Sequence, residues 1–239
     1  MSKVINEEDV KRFKETINKE KDFLVKSLTK ETKIETYVQA LYLGYLDASR
    51  TFGGQKKVTK KDDAIEQVAE KMQNYINGGN KDFDSIFYEA CGTLCINYEM
   101  SFGQAQKIIN MAFKYLYCIA DGALKERFDK CHMPLDDIML EWIRRNITDD
   151  YGNKLKKAEA WSKLPKGGEN VAGSYMYYKK HVDSYCKKED KSPLQLDFEN
   201  WVTMSQTLSA EDYLKSFTKA ERKDKKHIEL LNKLLQTSK

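Results

Sequence analysis

Residues 97–118 read NYEMSFGQAQKIINMAFKYLYC and residues 128–146 read FDKCHMPLDDIMLEWIRRN, and the apolar spacing in both is helical. Turned at about 100° per residue, the first stretch puts Ile108, Ile109, Ala112, Phe113 and Leu116 on one face. Lys107, Asn110 and Lys114 fall on the opposite stripe, which reads most simply as a solvated face carrying two lysines. The same three- and four-residue spacing continues outward in both directions, punctuated by only 3 prolines and 12 glycines, and predicts an all-α fold. Helices are expected at 7–29, 31–50, 61–77, 82–96, 102–121, 134–147, 170–188, 194–207, 209–218 and 219–236. Asp82 or Asp84, Ser101 and Ser209 stand where N-caps belong. Loops are expected around Gly53 and Gly54 and from Ser162 to Gly173, and the tail from Lys219 reads as a basic amphipathic helix.

Composition bounds the function. The 239 residues are 41% hydrophobic and 33% charged, which excludes a disordered chain and suits one globular unit or two small lobes. No apolar run has the length of a membrane helix or the character of a signal peptide, so the expectation is a cytoplasmic protein with no membrane partner. A net charge of +4 requires any anionic partner to be held by a local patch. Cys91, Cys95, Cys118, Cys131 and Cys186 are odd in number and lack metal-finger spacing, as expected of reduced thiols, with Cys91 and Cys95 in a helix core.

Gly103 followed by Lys107 in GQAQK, and later His132-Met133-Pro134-Leu135-Asp136, form a two-part pattern. It resembles the helix-hairpin-helix DNA glycosylases, in which a glycine turn precedes a lysine by four residues and an aspartate in a Pro-apolar-Asp step opens a later helix. The 29-residue interval from Lys107 to Asp136, the Gln106-Lys107 pair, Lys114 and Tyr115-Leu116-Tyr117 are closest to the archaeal 8-oxoguanine glycosylase branch. The likeness spans about 50 of the 239 residues and departs from the family at Ala105, where a second glycine is usual, and at Ser101-Phe102, where Leu-Pro is usual.

The resemblance implies a two-lobed fold with an active cleft between the lobes. One lobe would span residues 60–149, and the other would form from both chain ends, residues 1–59 and 150–239. It further implies Lys107 as a Schiff-base nucleophile and Asp136 as its electrostatic partner. Phosphates of double-stranded DNA would be held at Ser101, Gly103, Gln104, Lys114, Arg144 and Arg145. A base pocket would draw on Gln39, Tyr88, His132 and Trp142, with Tyr37, Tyr42, Tyr45 and Phe87 as further candidate walls. The excised base would be oxidised guanine or a phage-type modified cytosine, the second in a defence setting. No cofactor or metal is implied; Cys186 stands alone where some relatives place four clustered cysteines for an iron-sulfur cluster. Enzymes of this size in base excision work as monomers.

The residue types suit that chemistry independently of the family. Breaking an N-glycosidic bond develops positive charge on the sugar, which a carboxylate stabilises. A lysine amine attacks only when neutral, a form that burial favours. A base inside a duplex must first be turned out into a pocket. Two other readings stay open. Arg127 and His132 have the R-x4-H spacing of HEPN ribonucleases, although Pro134 disfavours one uninterrupted helix there. Alternatively, Lys107 and Asp136 form an ion pair between packed helices of a non-enzymatic DNA-binding module.

Overall fold

A computed structural model describes residues 5–16, 33–53, 57–79, 82–120 and 122–216, together with residues 229 and 233. Among the described residues the chain is all helical, without strands apart from an isolated bridge between Thr148 and Lys154. The long helices are α1 (Glu7–Thr16), α2 (Ile34–Ala48), α3 (Asp63–Ile76), α4 (Phe83–Tyr98), α5 (Phe102–Ile119), α6 (Asp137–Asn146), α7 (Tyr175–Lys188) and α8 (Pro193–Ser216). A helical turn at Gly122–Lys125 and 3-10 turns at Ser49–Thr51, Glu126–Lys130 and Trp161–Lys163 complete the order. None of the described helices is long and apolar enough to cross a membrane.

The centre is α5. Its start is fixed by a capping box: Ser101 Oγ accepts the Gln104 N–H at 3.1 Å, and Gln104 Oε1 accepts the Ser101 N–H at 3.0 Å. Every residue from Gly103 to Tyr117 is buried, so α5 is enclosed on all sides. The expected solvated stripe is therefore corrected: Lys107 and Lys114 are buried beneath α1, α6 and α8, and Asn110 beneath the 131–136 segment and α7. The helix α2 runs along α5 and α3, while α1 and α8, from opposite ends of the chain, pack together.

Several boundaries differ from the sequence expectation. The helices expected at 194–207 and 209–218 are one helix over the described residues Pro193–Ser216, and Ser209 is no cap; its hydroxyl donates back to the Ser205 carbonyl at 2.9 Å within the continuous helix, while residues 217 and 218 lie outside the described residues. Pro134 does not open a helix, since residues 131–136 lie outside any helix and Asp136 caps α6 through the Met139 N–H at 3.0 Å. The helix expected from 170 begins at Tyr175, capped by Ser174. Asp82 occupies the N-cap of α4, and its side chain does not make the capping hydrogen bond. Residues 17–29 of the first predicted helix, Gly54, and the helix predicted at 219–236 lie outside the described residues, apart from the isolated positions 229 and 233. All five cysteines are free thiols; Cys91 and Cys131 lie in the core.

Gly44 is where α2 meets α5 most closely: a Cβ there would lie 2.3 Å from the Ile108 carbonyl oxygen. A backbone atom cannot swing aside as a side-chain tip can. Gly44→Ala is therefore expected to destabilise the fold by about 1–3 kcal/mol despite alanine's better helix propensity. The midpoint of urea unfolding measures this, and an unchanged or higher midpoint would contradict the close crossing.

Candidate functional site

Lys107 projects from the second turn of α5, and Asp136 ends the segment that enters α6. Distant in sequence, the two form an ion pair, Lys107 Nζ to Asp136 Oδ2. The same oxygen accepts the Trp201 indole N–H at 3.1 Å, and the other carboxylate oxygen is the α6 cap. Burial by itself would raise the Asp136 carboxyl. The Lys107 ammonium and the hydrogen bonds from Lys107, the Met139 N–H and Trp201 outweigh it and hold the carboxyl below its ordinary value. The amine also lies 5.7 Å from the centre of the Trp161 ring.

The pair borders a cleft of about 480 Å³, within the roughly 300–1,000 Å³ range of ligand pockets. Its apolar walls are Phe13, Met111, Tyr115, Trp161 and Trp201. Polar groups enter from Asp47 and Arg50 at the end of α2, from Lys114, and from Asp137. Arg50 is exposed on this rim and has no ion-pair partner among the described residues.

A second buried pair lies one stripe along α5. Lys114 is paired with Asp197 of α8, and the ammonium sits 3.8 Å from the centre of the Phe13 ring. The two pairs differ in access: side-chain exposure is 9% for both Lys107 and Asp136, against 1% and 0% for Lys114 and Asp197. Asp197 Oδ1 finds no hydrogen-bond partner among the described residues, and burial pushes its carboxyl up in spite of Lys114.

The residues expected to hold phosphates are differently placed. Ser101 donates its hydroxyl to the Ser162 carbonyl, and the Gln104 amide donates to the Thr51 carbonyl at 3.1 Å and to its hydroxyl at 3.2 Å. A Cβ at Gly103 would lie 2.0 Å from the Trp161 carbonyl oxygen, so the glycine lets the 161–164 turn close over the start of α5. The 161–164 turn thereby lies over the start of α5, where Gly103 and Gln104 are buried and Ser101 is half-buried. Lys114 is paired with Asp197 and almost fully buried at the cleft wall. Arg144 is bound to Glu141, and Arg145 to both Glu141 and Glu211.

Gln39, Tyr88, His132 and Trp142 do not line this cleft. Gln39 is half-buried on α2, with its amide nitrogen unpartnered among the described residues. Tyr88 packs on Phe102 with Lys166 over its ring, and Trp142 packs on Tyr185. Tyr37 and Phe87 belong to the core, while Tyr42 and Tyr45 pack on each other. His132 is buried between Tyr175 and Asp84, its pKa lowered by burial. Arg127 lies in a 3-10 turn against Gly78, so it and His132 do not share a helix.

The cleft residues missed in the sequence are Phe13, Asp47, Arg50, Met111, Trp161 and Trp201, along with Asp197 behind it. No motif marks them, because they come from six separate elements. Among the described residues no cluster of His, Cys, Asp and Glu could hold a metal ion. No family model, curated protein or solved structure matches the chain at a significant level.

The two carboxyls are shifted in opposite directions, which gives a direct test. In a 13C carboxyl NMR titration, Asp197 takes up its proton above the ordinary value of 3.8 and Asp136 below it. Because the Asp136 value is depressed by folding, its stabilisation is present above the unfolded value and lost as pH falls through the folded one. Asp136 protonating first would contradict the arrangement of charges.

Proposed function

We propose that the protein is a DNA glycosylase with strand-cleaving lyase activity, built as a two-lobed helix-hairpin-helix fold around the Lys107–Asp136 cleft. One lobe would be residues 60–149, the other residues 1–59 and 150–239. The observation that carries this reading is the pairing of an amine and a carboxylate, far apart in the chain, beside an aromatic-walled opening of about 480 Å³. Of the two ion pairs on α5, this one is the more accessible from the cleft: its side chains are each 9% exposed, against 1% and 0% for Lys114 and Asp197.

The chemistry follows from the charges. An everted nucleotide would enter between Trp161 and Trp201, which offer flat apolar surfaces to a base. As the glycosidic bond breaks, its electron pair leaves with the base and positive charge develops on the sugar, where the Asp136 carboxylate, ionised at neutral pH, stabilises it. The departing base takes up a proton released by Lys107, whose neutral amine adds to C1′. Opening of the sugar ring gives a Schiff base. Loss of a C2′ proton then expels the 3′ phosphate and cuts the strand, and water releases the enzyme.

Double-stranded DNA carrying a damaged or modified base is the partner, bound by a monomer without a cofactor. Oxidised guanine and a phage-type modified cytosine fit the reading equally, the latter as a defence activity. With the start of α5 covered, Arg50 on the rim is the cation best placed to meet a phosphate, and its contact would weaken with added salt.

Borohydride reduction in the presence of duplexes carrying an abasic site or one of a panel of modified bases tests the proposal. The wild-type protein is expected to form a covalent adduct. Lys107→Gln should form none while still binding the duplex, and Asp136→Asn should slow adduct formation by about a hundredfold. No adduct from the wild-type protein with any duplex, or full adduct from Lys107→Gln, would refute the mechanism and favour a non-enzymatic binding module.

A further inference from the structure

The segment 131–136 that delivers Asp136 lies in no helix and pairs with no strand among the described residues, so its buried backbone groups need partners outside a regular ladder. Three of them, the Leu135 N–H and carbonyl and the Met133 carbonyl, are met by side chains of α5, the helix that carries Lys107. Gln106 grips Leu135 at two points: its amide nitrogen donates to the Leu135 carbonyl at 2.7 Å, and its amide oxygen accepts the Leu135 N–H at 3.2 Å. Leu135 directly precedes Asp136, and Gln106 directly precedes Lys107. The neighbours of the two reacting groups are thus bonded to each other, and one helix sets the register of both.

The grip is itself held. Asn110, one turn further along α5, donates to Gln106 Oε1 at 3.1 Å and to the Met133 carbonyl at 3.1 Å, and its amide nitrogen lies 3.4 Å from Tyr175 Oη. Tyr175 Oη lies 2.8 Å from His132 Nδ1, and His132 Nε2 lies 2.6 Å from Asp84 Oδ1. Hydrogen bonding from His132 holds the Asp84 carboxyl near 2, so it accepts and the His132 proton resides on Nε2. Nδ1 of the neutral ring then accepts from the Tyr175 hydroxyl. Gln106 and Asn110 have no exposed surface, and Tyr175 and His132 are buried too. The segment from His132 to Leu135 is therefore anchored by α4, α5 and α7 at once.

We propose that Gln106 is a positioning residue that sets the Asp136 carboxylate opposite the Lys107 amine, with Asn110, Tyr175 and His132 fixing the orientation of its amide. The catalytic part of this proposal rests on Lys107 being the nucleophile; the positioning part does not, and the two are tested separately. The substitution is Gln106→Met, which keeps the length of the side chain and removes both hydrogen bonds. In the DNA-free protein labelled with 15N-lysine, the Lys107 ammonium signal is assigned by its absence in Lys107→Gln. It is expected to move in Gln106→Met, with ammonium hydrogen exchange faster by about tenfold as the pair with Asp136 loosens. Single-turnover borohydride trapping on an abasic duplex should slow by about tenfold to a hundredfold with duplex affinity unchanged.

A merely structural Gln106 would lower the thermal midpoint and leave the Lys107 ammonium signal and its exchange at their wild-type values; that result overturns the proposal. Should Gln106→Met fail to fold, Asn110→Ser, which withdraws the amide holding Gln106 and Met133, is read in the same way. An unchanged Lys107 signal in that variant overturns it equally. Absence of trapping by the wild-type protein would defeat the glycosylase reading while the ammonium measurement still decides the positioning role.

Discussion

The burial of two lysines on one enclosed helix is the constraint around which the other elements are arranged. A cation removed from water must be given an opposite charge and hydrogen bonds, or be neutralised. Enclosing α5 therefore commits the rest of the chain to deliver carboxylates to two places on it. Asp136 arrives from the segment ahead of α6, and Asp197 arrives from α8. Each delivery fixes more than a charge. The Asp136 carboxylate also caps α6 and receives the Trp201 indole, so α5, α6 and α8 meet at one group. With α1 packed on α8, the aromatic rings of Phe13, Tyr115, Trp161 and Trp201 collect around the same opening.

Two pairs of the same chemistry end in different states because their surroundings differ. Lys114 is capped by rings from Phe13 and Phe198, so its pair with Asp197 is almost fully buried, and the carboxyl is driven upward by lost hydration. Asp136 keeps three hydrogen-bond donors around it and a face toward open space, and its carboxyl is driven downward. An ionised carboxylate beside an amine at an opening is suited to stabilise cationic charge on a bound molecule. An almost fully buried pair is suited to hold two helices in register.

Much of this was legible along the chain. Periodicity marked most of the helices, Ser101 marked the start of α5, and the Lys107 and Pro134-Leu135-Asp136 elements marked the two groups that meet. What could not be read was which faces other elements would cover. Lys107, Asn110 and Lys114 form a polar stripe that looks solvated in isolation, and only the approach of α1, α6 and α8 over the lysines, and of α7 and the 131–136 segment over Asn110, reverses that reading. Gly103 signalled a turn for a phosphate, whereas the missing side chain serves a close approach of the Trp161 carbonyl. Trp201 and Asp197 have no local signature, since their roles are set by the packing of α8 against a helix far away in sequence. The polarity of Gln106 and Asn110 gave no hint that they grip the backbone beside Asp136.

The account stands on the cleft beside Lys107 and Asp136 receiving a nucleotide turned out of a duplex. A crystal structure of Lys107→Gln bound to a duplex containing an abasic-site analogue measures this most directly. The account predicts the analogue everted into the cleft, its C1′ facing residue 107 and the Asp136 carboxylate, with Trp161 and Trp201 on either side. An analogue left stacked in the duplex, or DNA bound to a face of the protein remote from this opening, would contradict it.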